Sequence, residues 1–271
     1  MGSGLYRNWG ESMEFVTFEQ VSLAYEEGGP LAIRDISLSV KKNEFIAVVG
    51  PSGCGKSTLM KLVSGLSEPT SGYVYMNGRQ ISGPQKCIGM AFQASNLLPW
   101  RTTLENVMLP LEIVQPYRSQ MRKQRKHFEE MARALIARVG LSGWEDKYPW
   151  ELSGGMQQRA SICRALIHKP ELLMLDEPFG ALDAFTREEL WCMLQDLWQE
   201  QPFTVVLVTH DLREAVFLAD TVYVMSKGPG EILVKRDIDI PRPRSLDDTY
   251  TEHFASQVHV LRDHIGAIRK H

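Results

Sequence analysis

Phe45-Ile46-Ala47-Val48-Val49-Gly50-Pro51-Ser52-Gly53-Cys54-Gly55-Lys56-Ser57 is an apolar run that breaks into a glycine-rich turn and ends in lysine and serine. Five uninterrupted apolar residues, Phe45–Val49, read as a β-strand covered on both faces. Thr58–Leu66, behind the turn, reads as a helix. Gly50 to Ser57 fits GxxxxGK[ST] at every fixed position, in the strand–turn–helix context the pattern demands. Glycines let the backbone wrap close to phosphates so that N–H groups point inward, and the helix N-terminus adds partial positive charge. Gly50, Pro51, Ser52, Gly53, Cys54, Gly55, Lys56, Ser57 and Thr58 are therefore the candidate phosphate loop. Lys56 reaches the β- and γ-phosphates, and the Ser57 hydroxyl is a Mg²⁺ ligand.

Phosphoryl transfer also needs a carboxylate for the metal and a group that activates water. Leu172-Leu173-Met174-Leu175-Asp176-Glu177 offers both. An acid that ends a buried parallel strand emerges at the carboxyl edge of the sheet, where ligands bind. Asp176 is the candidate Mg²⁺ partner and Glu177 the candidate general base. His210 follows a third apolar strand, Val205–Val208, and Thr209. It stands at a carboxyl edge suited to the γ-phosphate, although a lone histidine there reads better as a surface residue. Gln93, after Ile88–Phe92, says little by itself.

Outward from these strands the chain reads as α/β. Ile36–Val40 alternates apolar and polar, as a half-buried strand does. Tyr73–Met76 runs into Asn77-Gly78, a hairpin signal. Phe128, Met131, Ala132, Leu135, Ile136 and Val139 form one helical stripe that Gly140 is placed to stop. Leu190, Leu194, Leu197 and Trp198 form another, between two buried strands, which implies a parallel crossover. The expected architecture is a mixed, largely parallel sheet with an N-terminal antiparallel β portion and a helical subdomain inserted at about 95–165. Residues 1–13 read as a flexible leader, with Met13 an alternative start. The main domain spans 14–243, and 244–271 form a tail in which 251–268 add a short helix.

Composition narrows the function classes. Thirty basic against 33 acidic side chains give a net charge of −3, which argues against a generally basic nucleic-acid coat. No apolar run approaches the ~20 residues of a membrane-spanning helix. Residues 1–12 lack the basic-then-apolar pattern of a secretory signal. The four cysteines are isolated, without metal-ligand spacing, and read as reduced thiols in a reducing compartment.

Leu152-Ser153-Gly154-Gly155-Met156-Gln157-Gln158-Arg159 decides the class. Ser153 and the N–H groups of Gly154 and Gly155 at a helix start make a second anion nest. With the phosphate loop, Asp176-Glu177 and His210, this octapeptide resembles the ATP-binding cassette (ABC) family of transport ATPases. The resemblance runs from about Phe15 to Gly230. It implies a RecA-like P-loop NTPase fold with ATP and Mg²⁺ as cofactors. It makes Tyr25 an adenine-stacking residue, and Gln93 a catalytic glutamine that touches the metal. Asp183, in Gly180-Ala181-Leu182-Asp183, becomes a residue that communicates across a dimer. Gly180 departs from the serine usual in the family and removes one side-chain contact.

The same resemblance implies a homodimer in which each ATP lies between the phosphate loop of one chain and Ser153, Gly154 and Gly155 of the other. Such a dimer sits at the cytoplasmic face of the membrane, beneath integral permease subunits. Gln93–Arg101, Glu177–Arg187 and Ile240–Arg244 are similar to the nitrate, sulfonate and taurine importer branch, which works with an external solute-binding protein. Leu97–Trp100 either helps to form a groove for a permease helix or packs inside the helical subdomain. An exporter ATPase and a non-transport ABC ATPase are the alternatives; no nucleic-acid partner is expected.

Three features carry no function at this stage. Arg118, Arg122, Lys123, Arg125 and Lys126 read as a solvated helix face. Trp144, Trp150, Trp191 and Trp198 read as core or interface packing. The Cys54 thiol, inside the phosphate loop, reads as sensitive to alkylation.

Overall fold

A computed structural model describes residues 14–268; the leader expected over 1–13 lies outside the described residues. The chain divides into two compact units, one formed by residues up to 85 together with 204 onward, the other by 86–203. The first unit opens with β1 (Glu14–Ala24), β2 (Leu31–Lys41), β3 (Phe45–Val49), α1 (Lys56–Val63), β4 (Ser71–Met76) and β5 (Arg79–Gln80). The second holds β6 (Ile88–Phe92), α2 (Thr103–Ile113), α3 (Tyr117–Arg138), α4 (Gly154–Leu166), β7 (Leu172–Asp176) and α5 (Ala184–Glu200). The first unit then resumes with β8 (Thr204–Thr209), α6 (Leu212–Leu218), β9 (Thr221–Met225), β10 (Ile232–Asp237) and α7 (Glu252–Ile268).

In the first unit β3 lies between β8 and β9 and runs parallel to both, while β10 pairs antiparallel with β9. All residues of β3, β8 and β9 are buried, which is why their sequences are nearly continuous apolar runs, broken only by threonines at the ends of β8 and the start of β9. A separate antiparallel sheet has the order β2-β1-β4-β5. There β2 alternates between buried and open positions over Ile36–Val40. Asn77 and Gly78 both take positive φ between β4 and β5, the geometry of a primed hairpin turn.

The polar tail is docked rather than loose. Arg244 is buried, and its Nη1 donates to the carbonyls of Val216, Phe217 and Ala219 at the end of α6. Burial pushes its pKa down to about 10. Phe254 and Leu261 bury the inner face of α7, whose range matches the short helix expected over 251–268.

The second unit contains the parallel pair β6–β7 and, between those strands, helices α2 to α4. Phe128, Ala132 and Ile136 form the buried stripe of α3. Its end is a Schellman motif: Gly140, at φ +74, donates to Ala137 O and Leu141 donates to Ile136 O. On α5, Leu190, Leu194 and Leu197 are buried as their spacing requires. No helix among the described residues is long and apolar enough to cross a membrane.

Candidate functional site

In the first unit Val49 of β3 pairs with Thr209 of β8 in parallel register. Gly50 and His210 therefore leave neighbouring strands at the same carboxyl edge. Gly53 and Gly55 adopt φ +77 and +97, which L side chains rarely take. A Cβ on Gly55 would come within 2.4 Å of Ile33 Cγ2, so glycine is required there twice over. Gly55 is also the N-cap of α1 and supplies no side-chain acceptor. The first helical N–H groups are left as donors for an anion.

Lys56 is only 6% exposed. Its Nζ donates to the carbonyls of Gly50 (2.9 Å) and Pro51 (3.1 Å), so the loop holds its own cation against the turn. Ser57 is exposed, whereas Thr58 is buried. The Thr58 hydroxyl shares a 2.9 Å hydrogen bond with the phenol of Tyr25. The Tyr25 ring is 58% exposed, and the ammonium of Lys61 lies 5.0 Å from its centroid. Cys54 corrects one expectation. Its side chain is fully buried beside Lys56, and burial pushes the thiol pKa up, with the Lys56 charge opposing. A protonated, enclosed sulfur is a poor nucleophile.

A hydrogen-bond chain frames His210, which is itself exposed. Thr209 Oγ1 donates to the buried carboxylate of Glu214 at 3.1 Å and accepts from the Asp211 N–H at 3.0 Å. Asp211 in turn caps α6 by accepting from the N–H groups of Arg213 and Glu214. Sequence reading singled out neither Glu214 nor Lys61. Lys61 lies three residues beyond Thr58 in α1, so helical spacing was the available signal for it, whereas Glu214 lies in α6 and His210 precedes that helix, so no such spacing pointed to it.

In the second unit Phe92 of β6 pairs with Asp176 of β7 in parallel register. Gln93 and Glu177 thus emerge side by side from adjacent strand ends. Glu177 takes φ +47, a conformation that costs a non-glycine residue roughly 1–2 kcal/mol and points to a functional constraint. Its carbonyl accepts from the Gly180 N–H at 3.1 Å. A Cβ at Gly180 would lie 3.4 Å from Gln93 Nε2, so the missing serine side chain would have stood against Gln93.

Ser153 is the N-cap of α4, its Oγ accepting from Met156 N, and Ser153 and Gly154 are exposed. The helix is tied to the end of β6: Gln158 Nε2 donates to Phe92 O (2.9 Å), and Ser95 Oγ donates to Gln157 Oε1 (3.1 Å). Gly155 is packed beneath Thr186. Asp183 caps α5 by accepting from Thr186 N and Thr186 Oγ1, bonds that hold its carboxyl below the usual carboxylate range. The stretch Leu97–Trp100 is split, with Leu97 inside and Trp100 70% exposed. The tryptophans divide likewise: Trp191 is core, while Trp150 is exposed and stacks on Tyr148.

The donors are of the kind a hard cation takes: Ser57 in the first unit, and Asp176 and Gln93 in the second, each offer an oxygen, and Mg²⁺ carried on phosphates needs no more than one or two carboxylates. Among the described residues no cluster of three His, Cys, Asp or Glu side chains forms a protein-only metal site.

A glycine cradle on a buried strand, an acidic pair ending a second and a Ser-Gly-Gly helix start define a P-loop ATPase of the cassette type. The family model described as "ABC transporter" matches residues 33–180, and the chain belongs to that family. It is 46% identical over 213 residues to the aliphatic sulfonates import ATP-binding protein SsuB of Bacillus licheniformis, covering 79% of this chain and 80% of that protein. It is 45% identical over 241 residues to the nitrate import ATP-binding protein NrtD of Synechococcus elongatus, covering 86% and 84%. Among solved structures, the ATP-binding cassette MJ0796, in a dimeric post-hydrolysis state bound to ADP and Pi, superposes with a TM-score of 0.68. That match has 30% identity and covers 83% of this chain and 100% of the other.

Proposed function

We propose that this chain is the ATP-hydrolysing subunit of an importer for a small solute, an anion of the nitrate, sulfonate or taurine kind. It works as a homodimer at the cytoplasmic face of the membrane, beneath permease subunits fed by an extracytoplasmic solute-binding protein. The observation that carries the reading is the exposed Ser153–Gly154 turn capping α4. It is a second anion nest in a chain whose Gly50–Thr58 loop already offers one, and a second copy of the chain gives it a purpose. The import names of relatives at 45–46% identity support the direction of transport.

In this reading Gly50–Thr58 grips the phosphates and Tyr25 stacks on the adenine. Ser57, Asp176 and Gln93 would hold Mg²⁺, which would supply charge to neutralise the phosphate oxygens. Glu177 accepts a proton from water as the water oxygen bonds to the γ-phosphorus, and the bond from that phosphorus to the β–γ bridging oxygen breaks. His210 fixes the γ-phosphate. Asp183 signals across the dimer, and positioning and electrostatics dominate the rate. The test is light scattering of the Glu177→Gln chain with and without MgATP. An ATP-dependent doubling of mass that Ser153→Arg abolishes is expected, and a monomer under all conditions overturns the sandwich. Anion uptake by liposomes holding the chain, its permease and the binding protein tests the cargo.

A further inference from the structure

We propose that Lys61 is a positioning residue for nucleotide: acting through Tyr25, it orients the Thr58 hydroxyl as a hydrogen-bond donor to a phosphate oxygen. The inference rests on reading Gly50–Thr58 as the phosphate loop and deepens that reading. Tyr25 OH and Thr58 Oγ1 lie 2.9 Å apart, and on distance alone either is the donor. Lys61 Nζ weights the choice. It sits 3.4 Å from the same phenol oxygen and 5.0 Å from the ring centroid. An ammonium has donors only, so the phenol oxygen accepts from Lys61, and with that acceptor direction occupied the orientation proposed is the one in which the phenol proton points to Thr58. Thr58 Oγ1 then accepts, and its proton is free for a third partner.

The placement suits a phosphate. Thr58 is 5% exposed and lies in the first turn of α1, directly after Ser57. A hydroxyl turned outward there adds a side-chain donor to the backbone N–H groups. The ammonium also polarises the phenol and strengthens the next bond in the chain. Lys61 is exposed one turn further along the helix and Tyr25 is largely exposed, so neither is needed for packing. With the charge removed, Thr58 is free to donate to Tyr25 instead, and the phosphate loses a partner.

The test is calorimetric titration of MgATP into the full chain carrying Lys61→Met, Lys61→Arg, Tyr25→Phe, Tyr25→Ala, Thr58→Val, and the Lys61→Met/Tyr25→Phe pair. Lys61→Met and Tyr25→Phe are each expected to weaken binding about five- to tenfold, the scale of one ordinary hydrogen bond. The double variant should be no weaker than either single, Lys61→Arg should bind as the wild type does, and Tyr25→Ala should be weaker than Tyr25→Phe. If Lys61→Met weakens binding by the same factor with and without the phenol oxygen, its effect is bulk charge and the relay is overturned. It is equally overturned if Lys61→Met binds within twofold of wild type while Tyr25→Ala and Thr58→Val bind poorly, an outcome that leaves the nucleotide reading intact. Wild-type binding by both Tyr25→Ala and Thr58→Val overturns the roles of those two residues, and the relay with them.

Discussion

The ammonium of Lys56 lies 2.9 Å from the carbonyl oxygen of Gly50, the first residue after the preceding strand. The cation is thereby pinned to the glycine turn proposed to grip the phosphates, so side chain and turn are held together. Lys56→Ala removes the charge and leaves two carbonyls without their donor. Lys56→Arg replaces a compact charge by a planar fork that the buried position does not suit. Both variants should weaken MgATP binding by roughly 10- to 100-fold, the scale of losing one or more charge-assisted hydrogen bonds. Titration calorimetry checks this; wild-type affinity in Lys56→Ala would remove the loop from the mechanism.

Glu177 stands at the end of β7 in a left-handed backbone conformation, and that strain is difficult to explain unless its carboxylate must face a particular way. Glu177→Gln keeps the shape and removes the basic oxygen. Hydrolysis should fall by ~10²–10⁴-fold, the usual worth of a general base, while ATP affinity stays within a few-fold. Steady-state phosphate release measured beside nucleotide binding separates the two. Turnover at the wild-type rate would assign the proton to another group.

What the sequence made legible was local. Phe45–Ser57 announces its strand, turn and helix because each is set by neighbours within a few residues, and Gly140 stops α3 where its stripe ends. The paired emergence of Gln93 and Glu177 was half legible: both follow apolar strands, but only the register Phe92↔Asp176 makes them adjacent. What stayed hidden depends on contacts distant along the chain. Tyr25 meets Thr58 across 33 residues. Arg244, at the start of the tail, is buried because carbonyls at the end of α6 need donors. Burial separates Trp191, inside α5, from Trp150, in the short turn Pro149–Glu151, and residue type alone does not distinguish them.

Cys54 offers a chemical check on the loop. Its sulfur is enclosed and its thiol pKa raised, whereas Cys87 and Cys192 are only partly covered, although burial raises their thiols as well. Because the thiolate is the reactive form, iodoacetamide at neutral pH should modify Cys87 and Cys192 in the native protein well before Cys54. Urea should bring all four cysteines to similar rates. Peptide mass spectrometry over a time course reads the order, and early labelling of Cys54 would show that the loop opens readily.

Gly155 tests the helix start that carries Ser153, because two effects there have opposite signs. Alanine is the better helix former by up to ~1 kcal/mol, so propensity alone has Gly155→Ala stabilising α4. Sterically, the added Cβ would meet Thr186 Cγ2 at 2.4 Å. Thr186 cannot simply rotate away, because its Oγ1 donates to Asp183 at 2.7 Å in the cap of α5. Overpacking should win, with a loss of about 1–3 kcal/mol visible in urea unfolding. Thr186→Ser keeps the hydroxyl and removes the methyl, so in that background Gly155→Ala should become neutral or stabilising. The reversal of sign between backgrounds is the observable. If Gly155→Ala is equally destabilising in both, Thr186 is not what confines position 155 to glycine.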